Sequence, residues 1–310
     1  QAFEFSREYH VIPRQHPPDR SQIYMTYDFG FAAPFSVGWW FIDYAGRCIR
    51  FAEWYGWDGE TPNVGRRMTD SQVAQGIVDR ERKLGINPDR VFRLASHDCW
   101  NKKPDYKGGG QGPSTAETWA TEPFKLYLTK ADPSRLLKIR QFRERLLVHF
   151  KNLENVARRL GLEHYEHEIL GEVWKNKAGQ FLDDRKLVEL AKSHSIQLEW
   201  DPPMLLVTEN CEHFIRTIPD LCIDETQIED VDTDQEDHVY DEACQICMAR
   251  PLAPERPKKL KTPSQIHIEQ IERRAPEEDE YMIREAAQEL AYYDDEDRPV
   301  REMHYDLEDR

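Results

Sequence analysis

The sequence predicts an α/β domain built on a mixed central sheet with helices on its flanks. Three observations carry this. Ile23-Tyr24-Met25-Thr26-Tyr27-Asp28 is a run of β-favouring residues that closes on an acid, with Gly30 two positions on. That is how a strand delivers a carboxylate to a sheet edge before a sharp turn. Two further β-rich segments follow, Phe35 to Asp43 and Cys48 to Tyr55, joined by the turn Tyr44-Ala45-Gly46; strands connected so tightly form an antiparallel meander. A helical pattern from Thr69 to about Leu84 then precedes a strand from Arg90 to Asp98, and this order returns the new strand parallel to the first.

On that reading Asp28 and Asp98 close strands at one carboxyl edge, where ligand chemistry collects in open α/β sheets. Each also has a plainer role open to it. Asp28 can cap its turn through the side chain, and Asp98 can start the following loop as an N-cap or Asx-turn.

The elements between these strands follow from local signals. Residues 1–21, with His10-Val11-Ile12-Pro13 and His16-Pro17-Pro18, read as an irregular lead-in. Gly56 to Asn63 reads as a loop, Thr69 as an N-cap, and Gly85-Ile86-Asn87-Pro88 as the stop of the helix it opens. The glycine-rich basic loop from Lys102 to Pro113 lacks a closing Gly-Lys-Ser/Thr, so it is not a phosphate loop of the nucleotide-binding kind. Ser114 can cap a short helix to about Ala120. From Lys125 to Arg145 seven basic residues face two acids, either a solvated helix face or a track for phosphates.

Residues 150–203 read as an excursion of helix, hairpin near Trp174 to Gly179, and helix. Its histidines, His164, His167 and His194, have no partners at zinc-ligand spacing. Met204-Leu205-Leu206-Val207 is a short buried strand, and a helix is expected from about Glu209 to Ile218. A dense acidic stretch, Asp224 to Asp241, leads into an apolar helix in which His238 and Asp241 share a face. Cys244 and Cys247 lie within that apolar run and read as core. Beyond Pro251 the chain is rich in proline and charge, a poorly ordered acidic tail or partner-binding segment over 251–310.

Composition sets bounds on function. The 310 residues are 39% hydrophobic and 32% charged, and no stretch is long and apolar enough to span a membrane. The six cysteines are scattered, as suits a reducing compartment. Of the net charge of −16, nearly half lies in the last sixty residues, which hold ten Lys/Arg against seventeen Asp/Glu. An acidic chain argues against tight metal-free binding to a DNA backbone, yet suits a site that gathers carboxylates around divalent cations.

The order of these pieces resembles the nuclease domain of tailed-phage terminase large subunits. The likeness is carried by Tyr27-Asp28-Phe29-Gly30 with Ala33-Pro34-Phe35 and Gly38-Trp39, by His97-Asp98-Cys99-Trp100, and by Gln141 to Leu146. Asn210-Cys211 with Ile215 to Pro219, Glu229 to Thr233 and Asp237-His238-Val239-Tyr240-Asp241 complete it. The resemblance spans roughly residues 10–250. It implies an RNase H-like nuclease domain over 1–250, with 150–203 an insertion longer than the family usually carries.

The resemblance further implies an endonuclease that cuts concatemeric phage DNA during packaging, in the cytoplasm of the bacterial host. Asp28, Asp98 and Asp241 are then the catalytic acids, holding two Mg²⁺ or Mn²⁺ ions about 4 Å apart. His238 matches a histidine of some members and could shuttle a proton. Asp237 can stand in for Asp241 if the helix starts differently, while Glu53, ending the third strand, is a weaker candidate for which a structural role is favoured. Lys102, Lys103, Lys107, Arg140 and Arg143 are candidates for phosphate contacts with double-stranded DNA. Implied partners are a terminase ATPase domain, a small terminase subunit and a portal protein; with no phosphate loop in this sequence, the chain alone is not expected to hydrolyse ATP. Two other readings fit the same residues: a resolvase- or transposase-type nuclease, and a non-catalytic packaging module that docks through its acidic tail.

Overall fold

Alternation of side chains along β-strands, set against helices that each offer one apolar face, arranges this chain in three layers. The structure is a computed structural model that describes residues 2–104, 109–169, 171–224, 231–232 and 235–254. Most of the acidic tail expected over 251–310, and Lys107, lie outside the described residues. In chain order the elements are α1 (Arg7–His10), β1 (Val11–Ile12), β2 (Ile23–Asp28), β3 (Ser36–Ile42), β4 (Cys48–Tyr55), α2 (Asp70–Lys83), β5 (Val91–Ala95), α3 (Thr115–Ala120), β6 (Leu128–Lys130) and α4 (Arg135–Leu146). Then come β7 (His149–Phe150), α5 (Leu153–Arg159), β8 (Glu163–His167), β9 (Gly171–Lys175), β10 (Phe181–Leu182), α6 (Asp184–Ser193), β11 (Trp200–Asp201), β12 (Leu205–Thr208), α7 (Glu212–Thr217) and α8 (His238–Ala249).

The described residues form a seven-stranded sheet in the order β1-β12-β4-β3-β2-β5-β6. β2, β3 and β4 are the expected antiparallel meander, β5 returns parallel to β2, and β6 lies parallel beyond it. β12 and β1 extend the other side, parallel to β4. Only β3 runs against the rest. A meander continued by parallel crossover strands, with helices on both faces, is an RNase H-like fold, as expected.

One face of the sheet packs Met25, Tyr27, Trp39, Phe51 and Trp54 against α2 and α3, through Ile77 and Trp119. The other packs Trp40, Ile42, Cys48 and Tyr55 against α4, α7 and α8, through Phe142, Phe214 and Ala243. α2 opens at the expected cap, Thr69, which forms a full capping box with Gln72.

β3 is buried along its whole length, and its adjacent tryptophans point to opposite faces. Each donates its indole N–H to a buried glutamate. Trp39 reaches Glu81 of α2 at 3.3 Å, and Glu81 pairs with Arg93 at 2.6 Å. Trp40 reaches Glu242 of α8 at 3.2 Å, and Glu242 also pairs with Arg50 and accepts from Thr26 and from Ser36. The pairing register shifts between Trp39 and Trp40, so that Phe51 of β4 is a bulged residue. Without that bulge Arg50 and Glu53, three apart, would point to opposite faces. With it they pair at 3.4 Å on the α8 side. Gly38 leaves the space that Glu242 and Arg50 occupy, since a Cβ there would collide with both.

Several boundaries differ from the sequence reading. The lead-in contains α1 and β1, the latter a two-residue edge strand created by pairing with β12. β6 is similarly short. The helix expected from Glu209 starts at Glu212, because Glu209 N donates to Ile12 O and the Asn210 side chain donates to Phe51 O. The excursion is a small α/β unit. β7 and β11 pair as its neck, β10-β9-β8 form its sheet, and Val156, Trp174, Leu187 and Leu198 belong to its own core.

Glu242→Ala leaves the Arg50 guanidinium buried without its counter-charge and is expected to cost about 3–5 kcal/mol. Urea unfolding measures this, and the double variant Arg50→Met/Glu242→Leu is expected to recover much of the loss.

Candidate active site

β2 ends at Asp28 because the strand is clamped from both sides. Ser96 N donates to Tyr27 O at 3.0 Å, and Phe29 N donates to Ser96 Oγ at 3.2 Å. From α8, Gln245 accepts from Tyr27 N at 3.2 Å and donates to Tyr27 O at 2.8 Å. Gln245 lies one turn beyond Asp241 on the same helical face. The clamp therefore sets the start of α8, with His238 and Asp241, over the end of β2.

His238 Nδ1 stands 3.4 Å from Asp28 Oδ2 and 3.9 Å from Asp237 Oδ1, while its Nε2 donates to Asn63 Oδ1 at 3.0 Å. Acceptors at both ring nitrogens favour the imidazolium. Burial opposes that charge, but the bond to Asp28 and the acids around it win, and the His238 pKa is raised. On the other side Lys138 Nζ of α4 lies 2.5 Å from Asp241 Oδ1 and 5.1 Å from the centre of the Tyr240 ring.

Three carboxylates thus meet around these two cations, and the proton affinities of Asp28 and Asp237 show it. Burial, then the charge of Asp241, hold Asp28 up to about 6 although His238 pulls the other way. Asp237 is pushed up to about 7, again by burial first and Asp241 second. Lys138 is raised, because the charge and hydrogen bond of Asp241 outweigh its desolvation. A cluster of acids held by one lysine and one histidine is short of positive charge.

Asp98 stands slightly apart. β5 ends at Ala95, and Asp98 belongs to a 3-10 turn, His97–Trp100, three residues beyond. It is exposed and accepts from Asn101 Nδ2 at 3.0 Å. The turn adjoins the site all the same: the buried thiol of Cys99 is pushed up by desolvation and then by the charge of Asp28. Among the described residues no three His, Cys, Asp or Glu side chains stand as a ready-made metal cage.

The basic candidates among the described residues are engaged with protein partners. Lys102 pairs with Glu117, and Lys103 with Asp70 at 2.5 Å and Thr115 at 3.0 Å. Arg140 pairs with Glu144 at 2.9 Å on an exposed face, and Arg143 donates to Ala2 O at 3.3 Å. Glu53 accepts from the backbone N–H of His213 and Phe214 at 2.7 and 3.2 Å, a structural role. Lys138, noted only as one of seven basic residues, turns inward onto Asp241. Its signal was a lysine between Leu137 and Ile139 on an otherwise basic helix. Cys244 and Cys247 are buried and free, as expected of core residues.

No protein-family model matches the chain, and no curated protein matches its sequence. Among solved structures it is similar to the large terminase of a thermophilic bacteriophage. In the ADP complex of that protein the identity is 16% over 78% of this chain and 42% of that one, at a TM-score of 0.46. It is also similar to the P22 large terminase nuclease domain, at 14% identity over 81% of this chain and 92% of that one, with a TM-score of 0.43. The chain spans less than half the length of the thermophilic phage protein. With TM-scores below 0.5, the weight of the fold assignment stays on strand order and pairing. No helix among the described residues is long and apolar enough to cross a membrane.

The raised pKa values of Asp28, Asp237 and His238 all act with one sign. The native state holds more protons than the unfolded chain on the two acids between about pH 4 and 7, and on His238 above its ordinary value of 6.5, so the stability from these groups falls as pH rises through those windows. Asp237→Asn is therefore expected to stabilise the metal-free protein at pH 8 by on the order of 1–3 kcal/mol. The gain should vanish below pH 4, and unfolding at the two pH values measures it.

Proposed function

We propose that the chain is a metal-dependent DNA endonuclease, of the kind that cuts concatemeric phage DNA during genome packaging. The observation that carries this is the crowding of Asp28, Asp237 and Asp241 at the strand end, with two cationic side chains among them. The packaging role rests on the sequence motifs that run in family order from Asp28 to Asp241.

The donor set suits divalent cations in kind. Carboxylate oxygens are hard ligands, fitted to Mg²⁺ or Mn²⁺, and mutually repelling acids are relieved by added positive charge. Asp28 and Asp241 would hold the ions, with Asp98 approaching from the adjoining turn and Asp237 in reserve. Two such ions supply charge neutralisation at the scissile phosphate, an activated water and a stabilised leaving oxygen.

The protein's own groups do the rest. His238, held as imidazolium between Asp28 and Asn63, can give up a proton at the leaving oxygen. Lys138 orients Asp241 and keeps the cluster from flying apart before it is loaded. Double-stranded DNA is the substrate on this reading, and a packaging ATPase, a small terminase subunit and a portal protein are its partners.

Supercoiled plasmid incubated with the chain and Mn²⁺ or Mg²⁺ tests the proposal. Nicking and linearisation that disappear in EDTA and in Asp28→Ala are the expected result. Equal inertness of wild type and variant with both metals would refute catalysis by this chain alone.

A further inference from the structure

At the end of β4 lies a polar cavity of about 290 Å³, separate from the acid cluster. Arg80 of α2, Arg66 of the loop before it, Asn210 and His213 are among the residues that line it. The Arg80 guanidinium lies 3.6 Å from the centre of the Trp54 ring, which holds it flat, and it donates to Gly76 O at 3.1 Å. Arg66 Nε donates to Trp57 O at 2.7 Å. Among the described residues neither arginine bonds a carboxylate, so most of each planar fork is free for a ligand.

The two guanidinium groups are close enough to oppose one another. Burial lowers the pKa of Arg80, and the charge of Arg66 adds to that effect. Also in the lining, Asn210 Oδ1 and His213 Nδ1 are shielded from solvent and have no hydrogen-bond partner among the described residues; the amide oxygen, an acceptor, offers nothing to an anion, but His213 Nδ1 can donate to one as the N–H tautomer. Of the acids in the wall, Glu53 is already taken by Arg50 and two backbone N–H groups, which leaves the exposed Glu212 against two arginines. Paired arginines over a cavity, in a chain of net charge −16, lack an anion. Their forks match phosphate oxygens.

Position narrows the choice of anion. Tyr55 ends β4 opposite Ser36, and Ser36 pairs with Asp28 at the end of β2. The cavity therefore sits at the same carboxyl edge as the acids, two strands along, or roughly 10 Å. One strand of duplex DNA covers that distance in about three steps.

We propose that Arg66 and Arg80 form a phosphate site that seats the backbone of duplex DNA a few nucleotides from the scissile bond. The proposal rests on the nuclease reading and assigns the substrate track to this pair, rather than to the lysines and arginines singled out from the sequence.

The test measures anisotropy of a short labelled duplex in EDTA, where no cleavage occurs, across a salt series. A parallel titration with inorganic phosphate follows thermal stability. Arg66→Ala and Arg80→Ala are each expected to weaken duplex binding several-fold regardless of sequence, and to reduce the salt slope by about one. Arg80→Lys should restore the slope but only part of the affinity. Stabilisation by Mn²⁺ should be unchanged in all three, which shows the acid cluster intact. Duplex affinity within twofold of wild type in both alanine variants overturns the proposal. A wild-type chain stabilised by phosphate through this pair, yet binding no duplex even when Ca²⁺ replaces EDTA, overturns the DNA assignment, while the plasmid assay with Mn²⁺ or Mg²⁺ decides the nuclease reading separately.

Discussion

The buried pair of Glu242 and Arg50 is the constraint on which the site depends. Neither charge can remain in the core without the other, and each is further satisfied by neighbours: Glu242 by Thr26, Ser36 and Trp40, Arg50 by Glu53. These partners come from β2, β3 and β4, so one residue of α8 is read against the whole meander. An apolar residue at this position would let the helix slide along a greasy sheet. A glutamate with four defined partners allows one register, and Gln245 reinforces it by bonding both backbone groups of Tyr27.

That register converts distant sequence into a site. Asp28 and Asp241 are more than two hundred residues apart, yet each is at the end of an element fixed against the other. The cost is visible in the proton affinities, since acids brought together by packing resist ionisation. Stability is given up at the strand end and recovered in the core beneath it, where Trp39 and Trp40 each bind a paired glutamate. A binding edge above a rigid, cross-braced sheet is the arrangement such chemistry needs.

Much of this was legible in the sequence. The meander, the crossover to β5, the cap at Thr69 and the start of α8 all follow from apolar periodicity and turn residues. Asp28, Asp237, His238 and Asp241 could be singled out because acids at element ends stand clear of an apolar run. The buried ion pairs could not be read in the same way. Arg50 and Glu53 in a strand, or Glu242 in an apolar helix, look like solvent-facing residues until a bulge and a partner helix turn them inward. Lys138 left only a faint sign, its place between Leu137 and Ile139, since its partner depends on how α4 crosses α8. Arg66 and Arg80 are fourteen residues apart, in a loop and a helix, and only the end of β4 brings them to one cavity.

Calorimetric titration with Mn²⁺ at pH 6.5, in two buffers of different ionisation enthalpy, reads out whether the acid cluster takes up a divalent cation. Binding at the acid cluster must displace protons from Asp28 and Asp237, which are partly protonated at that pH. Saturable binding with net proton release, lost in Asp28→Asn, is the expected result. Mn²⁺ binding that releases no protons, or that is unchanged in Asp28→Asn, would contradict it.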